Sequence, residues 1–349
     1  MTNLDAVVVG GGISGLAVAD GLVRSGLTVQ VLEARSRTGG RLETVAVPDG
    51  MADLGATWFW PAESRVQELV AELGLAIHDQ WLDADLLYVR GQQVERIDRA
   101  VAPPAFRFSG GALQLANGLS AQLPDGVVRL DSPVRRIDRG DGLIRAHLAD
   151  HQLEARVAVI ALPPALAITS NLIHGDDLQP AVTAVLADIP VWMGLTVEAV
   201  AVYEKPFWRA AGLSGTAMCP GLPLQEIHDM SGPDGSPAML FGFGQTSPDN
   251  PVLTAELATQ QLTALFGQQA ASPVDVVIRD WRTEEYTAST QWPPSQRYDL
   301  FGSPVLQQPA WDGQLYWTST ETASIAPGHI EGALEAAERT VAAIVQTLG

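Results

Sequence analysis

The sequence predicts an α/β protein: a Rossmann-type nucleotide domain interleaved with a mixed-sheet α+β domain. Three observations carry this. The β-branched run Ala6–Val9 leads through a glycine-rich turn into a helical pattern, as in a β–turn–α–β unit. The middle of the chain changes to strand-length apolar runs separated by Gly, Pro and Asp. Segments of the first kind then return at the C-terminal end. Residues 1–75, 109–165 and 276–349 are therefore assigned to the nucleotide domain, and 76–108 and 166–275 to the second.

Taken in order, Ala6–Val9 reads as a buried parallel strand because it is apolar without alternation. The helix from about Ile13 to Ser25 is stopped by Gly26, where a left-handed residue is wanted. Thr28–Leu32 is the second strand. Val66, Leu69, Val70 and Leu73 fall at helical spacing before Gly74. Short strand-like pieces follow to Phe108, then a helix over Gly111–Leu123. Short strands are expected at Val127–Leu130, Val134–Ile137, Leu143–Leu148 and Val157–Ile160. Further strands are expected at Val191–Tyr203, Thr216–Met230, Ala238–Gln245, Val274–Ile278 and Leu315–Thr318, with a helix near Thr254–Phe266. Gly328–Leu348 reads as a long helix with an apolar stripe of Ile330, Leu334, Ala337, Val341, Ile344 and Leu348.

Composition bounds the function. The chain has 349 residues, 46% apolar, with 21 basic and 40 acidic side chains and a formal net charge of −19. Lys205 is the only lysine. Such a surface repels nucleic acid and anionic membrane and draws in cationic small molecules. The single cysteine, Cys219, excludes an internal disulfide framework and any Cys-based zinc site, and suits a reducing, cytoplasmic setting. The longest uncharged stretch, Val157–Ile173, contains Pro163 and Pro164 and argues against a membrane span. The histidines His147, His151 and His174 lack metal-ligand spacing, so no metal is expected.

The chemistry begins at Gly10-x-Gly12-x-x-Gly15. Gly10 allows the tight turn, Gly12 lets backbone approach a pyrophosphate, and Gly15 lets helix and strand pack closely. The diphosphate then rests on free N–H groups of the helix that includes Ile13 and Ser14. Glu33, ending the second strand beside Ala34 and Arg35, is placed to accept hydrogen bonds from an adenosine ribose. Gly39-Gly40-Arg41 follows, then Gly55-Ala56-Thr57-Trp58. The glycines permit close approach to a flat ring or a phosphate, and Arg41 offers a delocalised charge to the diphosphate.

Together these segments resemble the FAD-binding arrangement of flavin-containing amine oxidases, the monoamine oxidase family. The resemblance continues through Ser109-Gly110-Gly111, Met193-Gly194, Tyr203-x-x-x-Phe207-Trp208 and Trp281-Arg282-Thr283-Glu284-Glu285-Tyr286. It is most specific at Thr320-Glu321-Thr322-Ala323 and Gly328-His329-Ile330-Glu331-Gly332-Ala333. It implies that Glu321 contacts the ribityl–phosphate region, that Val134 meets the adenine through its backbone, and that Ile330 opens a helix pointing at the flavin pyrimidine. Trp281 either packs near the flavin or fills the domain interface.

The chain departs from that family in four places. A long helical insertion between Arg90–Arg99 and Gly110 is nearly absent, which leaves the substrate side open to solvent or covered by another subunit, as in a homodimer. Thr290 stands near where relatives carry a flavin-linking cysteine, so FAD is expected to be non-covalent. Glu198 stands where relatives place a lysine next to flavin N5, and Lys205 lies seven residues on. Glu198 reverses the local charge, pairs with a substrate ammonium, acts as a base, or is a strand residue whose head reaches solvent. Gln291 and His329 stand where relatives sandwich the amine between two tyrosines; Trp292 would supply a missing aromatic face, and His329 a proton acceptor or donor.

The resemblance implies FAD-dependent oxidation of an amine: hydride from the carbon beside nitrogen to flavin N5, imine hydrolysis, and reoxidation by O2 with release of peroxide. A compact, renalase-like dihydronicotinamide oxidase, a carbon–carbon desaturase, and a non-catalytic flavoprotein partner are the other readings.

Overall fold

The computed structural model describes residues 4–98, 103–245, 252–288 and 297–349. Two seven-stranded sheets organise them. In the first, Leu4–Val9 pairs in parallel with Val29–Leu32 on one side and with Gln152–Ile160 on the other. Val128–Arg129 extends this parallel core beyond Val29–Leu32, and Leu315–Trp317 adds to the C-terminal half of Gln152–Ile160. Its N-terminal half instead turns back through Leu143–His147 and Arg136–Gly140 as an antiparallel meander.

The unbroken apolar run at the N-terminus has a packing reason. Ala6 and Val8 face a core built with the helices Ile13–Arg24, Leu113–Gln122 and Ile330–Leu348. Val7 and Val9 face a second core on the opposite side. Both faces are covered, so alternation disappears. The first helix ends as its sequence requires. Gly26 has φ +83°, its N–H donates to the Val23 carbonyl, and Leu27 N–H reaches back to the Leu22 carbonyl.

The second sheet runs Asp275–Asp280, Thr196–Tyr203, Ala238–Gln245, Glu226–Asp229, Leu213–Met218, Asp85–Arg90, Gln93–Ile97. Every neighbouring pair is antiparallel except Leu213–Met218 with Asp85–Arg90, which makes the sheet mixed. Thr196–Tyr203 is buried along its whole length. Its even-numbered residues Val200 and Val202 face Ala52 and Leu54, while Val197, Ala199 and Ala201 face the helix Ala255–Phe266.

Several elements differ from the expected ones. The single strand expected at Thr216–Met230 is two, because Leu222 N–H turns back onto the Cys219 carbonyl between two prolines. Pro180–Asp188 is a helix where none is expected; its proline occupies the first turn, where no backbone donor is missed. Two segments also lie differently from the expected division of the chain. Residues 166–191 supply Ala167, Leu178, Val182 and Leu186 to the core under the first sheet. The strand Asp275–Asp280 is hydrogen-bonded into the second sheet, across the boundary expected at residue 275. Among the described residues, no helix is long and apolar enough to cross a membrane.

Candidate active site

A cleft runs between the two sheets. One end is the glycine turn. Gly10 has φ +107°, and a Cβ on Gly15 would stand 2.1 Å from the Gly10 carbonyl oxygen, so the third glycine serves helix–strand packing. A Cβ on Gly12 would meet nothing nearer than the Gly39 carbonyl at 4.0 Å: its open side is the cleft itself. Gly12 and Gly39 form an isolated bridge between the two glycine motifs. Glu33 is buried, and its two oxygens accept the Gly11 N–H at 2.7 Å and the Arg35 N–H at 2.9 Å. The carboxylate is thereby held rigidly beside the turn, with lone pairs left for ribose hydroxyls.

The cleft is lined by Gly10, Gly12, Ile13, Ser14, Glu33, Arg35, Gly39, Gly40, Arg41, Gly55, Ala56, Thr57, Trp58, Glu198, Trp281, His329 and Ile330, all singled out from sequence. Gly15, Ala34, Val134 and Glu321 stand behind it. Gln291, Trp292 and Thr290 lie outside the described residues. Val134 packs into the core under the first sheet, close to where Ser132 N–H bonds the Glu33 carbonyl. Glu321 is wholly buried, and its carboxylate takes Arg41 in two bonds of 2.7 and 3.1 Å together with the Trp192 N–H at 3.1 Å. Burial raises the pKa of Glu321 and Arg41 opposes this; the net shift is downward. Arg41, expected to face a diphosphate, is thus engaged by Glu321 and also donates to the Trp192 carbonyl at 3.0 Å. A carboxylate so deeply buried needs its cation.

The other end of the cleft is aromatic. Phe241 and Phe243, two apart on one strand, share a face with Glu198 across the Glu198–Phe243 register pair. Trp58 packs edge-on against Phe241 at 6.0 Å and against His228 at 5.0 Å. Behind it, the buried Arg107 guanidinium lies 5.2 Å from the Trp58 ring and donates to Thr57 Oγ1 at 2.5 Å.

Glu198 overturns one sequence reading outright, since its head does not reach solvent. The residue is fully buried, Trp281 Nε1–H donates to Oε2 at 3.4 Å, and Oε1 has no partner among the described residues. Burial pushes its carboxyl up to about 8, with Asp53 adding to the rise and the Trp281 bond opposing it. Burial thus works against the reversal of charge expected from the sequence, because it favours the protonated carboxyl. Trp281, also fully buried, both fills the interface and lines the cleft. Lys205 lies past the end of the strand and is exposed.

His329 caps the helix Ile330–Leu348, whose N-terminal turn lines the cleft through Ile330 and Ala333. Its Nδ1 lies 2.6 Å from Glu63 Oε1, and its ring stacks on Trp60 with centroids 4.7 Å apart. Glu63, Trp60, Trp192, Phe241 and Phe243 are site residues that sequence reasoning misses. The Phe-x-Phe alternation on a strand is the available signal for the last two. Glu63 has none, because an acid opening a helix reads as an ordinary cap.

The model of the family described as flavin containing amine oxidoreductase matches residues 13–109 and 101–345. The chain belongs to that family. Its two matched pieces meet at residues 101–109, where the long insertion was expected to be missing. Porcine (Sus scrofa) flavin-containing amine oxidase B is 26% identical over 463 aligned positions, covering 100% of this chain and 87% of that protein. Those 463 positions exceed the 349 residues here, so the relative carries internal stretches that this chain lacks. Among solved structures, putrescine oxidase bound to putrescine is similar at a TM-score of 0.84 and 21% identity. Cyclohexylamine oxidase from Brevibacterium oxydans is similar at 0.87 and 21%. In each case 99% of both chains is covered. Family membership makes this an FAD-dependent oxidoreductase of the amine-oxidising class. The cleft's residues suit that cofactor: the open side of Gly12 would take a diphosphate, the buried Glu33 carboxylate would accept from a ribose, and Trp281 would flank the ring.

Proposed function

We propose that the enzyme oxidises a small amine carrying an apolar or aromatic group, with FAD held non-covalently and O2 as terminal acceptor. The observation that carries this is Glu198: a fully buried carboxyl with one oxygen unpartnered among the described residues, facing a cleft walled by Trp58, Phe241, Phe243 and Trp281. FAD, when bound, supplies the two-electron acceptor for the hydride leaving the carbon beside nitrogen. The aromatic wall holds the carbon skeleton and keeps water out. The charge of an ammonium beside Glu198 favours the ionised carboxylate, which holds the cation. The N-terminus of the last helix contributes partial positive charge to the same cleft, which suits a group that becomes negative on reduction. The net charge of −19 favours a cationic substrate at long range.

Anaerobic mixing with benzylamine, cyclohexylamine and putrescine tests this. Bleaching of the flavin by one of them, and peroxide release on admitting air, is the expected result. Bleaching by a dihydronicotinamide and by none of the amines replaces the reading. Non-covalent attachment has its own check. Cys219 is buried in the core shared with Ala255–Phe266 and does not line the cleft. Acid precipitation is expected to leave all yellow colour in the supernatant, and flavin retained in the pellet contradicts it. A cytoplasmic, reducing setting accompanies this reading of the lone, buried cysteine.

A further inference from the structure

The amine reading requires a substrate ammonium to lose a proton before hydride can leave carbon. We infer that His329 Nε2 accepts that proton and that Glu63 is the positioning residue that fixes the imidazole for it; this rests on the function proposed above. Glu63 is only 6% exposed and opens the helix Ser64–Glu72. Its Oε2 accepts the Trp60 N–H at 2.9 Å, and its Oε1 lies 2.6 Å from His329 Nδ1. A carboxylate can only accept, so Nδ1 carries the hydrogen, and in the neutral imidazole Nε2 is then the nitrogen with a free lone pair. Nε2 has no protein partner among the described residues, and His329 lines the cleft.

The ring is held on two sides: Trp60 stacks on it at an interplanar angle of 28°, and Glu63 ties Nδ1; the backbone below is fixed by Thr320 Oγ1 donating to the His329 carbonyl at 2.8 Å. The neighbouring charges at this junction are already paired. Glu331 accepts Arg65 Nη1 at 3.0 Å and the N–H groups of Arg65 and Val66, and Arg65 Nε reaches Glu338. Glu63 is thus the carboxylate that faces the imidazole. In the step itself an ammonium N–H bond breaks, its electron pair stays on nitrogen, and an Nε2–H bond forms. The resulting imidazolium faces Glu63, and nothing is oxidised or reduced.

Glu63→Gln separates positioning from scaffolding. The glutamine carbonyl takes the Trp60 N–H, which turns its NH2 toward Nδ1 and forces the imidazole into the Nε2–H tautomer. In 15N-histidine-labelled holoprotein, the wild type is expected to show unprotonated Nε2 and the variant protonated Nε2. Flavin reduction by whichever panel amine reduces the wild type should slow by about 100-fold in Glu63→Gln. It should stay within about tenfold of wild type in Glu63→Asp, which keeps the charge. Added to His329→Gln, Glu63→Gln should have no further effect. Protonated Nε2 in the wild type overturns the pair whatever the kinetics, as does an unchanged reduction rate in a folded Glu63→Gln protein. Should that variant fail to fold, the wild-type tautomer and the His329→Gln rate still decide. If Nε2 is unprotonated but no amine bleaches the wild-type flavin, the amine reading fails and the proton-acceptor role falls with it.

Discussion

Gly12→Val is expected to give a folded protein with flavin content near zero. Gly12 has φ −72° and ψ 175°, a conformation open to any residue, and a Cβ there touches no protein atom within ordinary contact distance. The valine side chain should therefore project into the cleft, where a diphosphate would rest on the helix end's free N–H groups. The melting temperature should match that of wild-type protein stripped of flavin, while the ratio of flavin to protein absorbance collapses. Gly15→Val makes the contrast. Its Cβ would stand 2.1 Å from the Gly10 carbonyl, so that variant should fail to fold rather than fold empty. Glu33→Ala removes an acceptor without a clash and should weaken FAD binding by about 1.5–3 kcal/mol. Wild-type flavin occupancy in Gly12→Val would refute the pyrophosphate assignment.

The second large effect is a dependence of stability on pH carried by Glu198. In the unfolded chain its carboxyl ionises near its ordinary value of 4.5; in the fold, burial holds it to about 8. Between those values the folded state binds more protons than the unfolded one. Stability is therefore fully present below pH 4.5 and falls as pH rises toward 8. At about 1.4 kcal/mol per pH unit the loss is on the order of 4 kcal/mol by pH 8. Glu198→Gln keeps the shape and an acceptor for Trp281 but cannot ionise, so it should be the more stable protein at pH 8 and nearly equal to wild type at pH 4.5. Asp53, which burial pushes up to about 6, is present in both proteins and cancels in the comparison. Denaturant titrations at the two pH values check this, and parallel pH dependences would show that Glu198 ionises freely in the fold.

Local rules make much of the molecule legible in its sequence. Gly26 ends its helix, and the glycines at 10, 12 and 15 turn, approach and pack, because each position is set by neighbours within a few residues. Thr254 caps its helix through Oγ1 for the same reason. The helix Ile330–Leu348 buries Ile330, Leu334, Ala337 and Ile344 from its expected stripe. The division of the chain is harder to read. Residues 166–191 are expected in the second domain, yet they cover a face of the first sheet.

By itself, then, the sequence determined the glycine turn, the acid beside it and the family, since those depend on short-range spacing of residues with special backbone or charge. Only the tertiary structure decided what the charged groups do. Glu321 and Arg41 are 280 residues apart and neutralise each other. Glu198, which in sequence is an acid in an apolar strand, is a carboxyl whose ionisation burial opposes, because the second sheet and Trp281 shut out water. Glu63 and His329, 266 residues apart, meet at the facing ends of two helices. Desolvation and long-range pairing are properties of surroundings assembled from distant segments, and no local pattern encodes them.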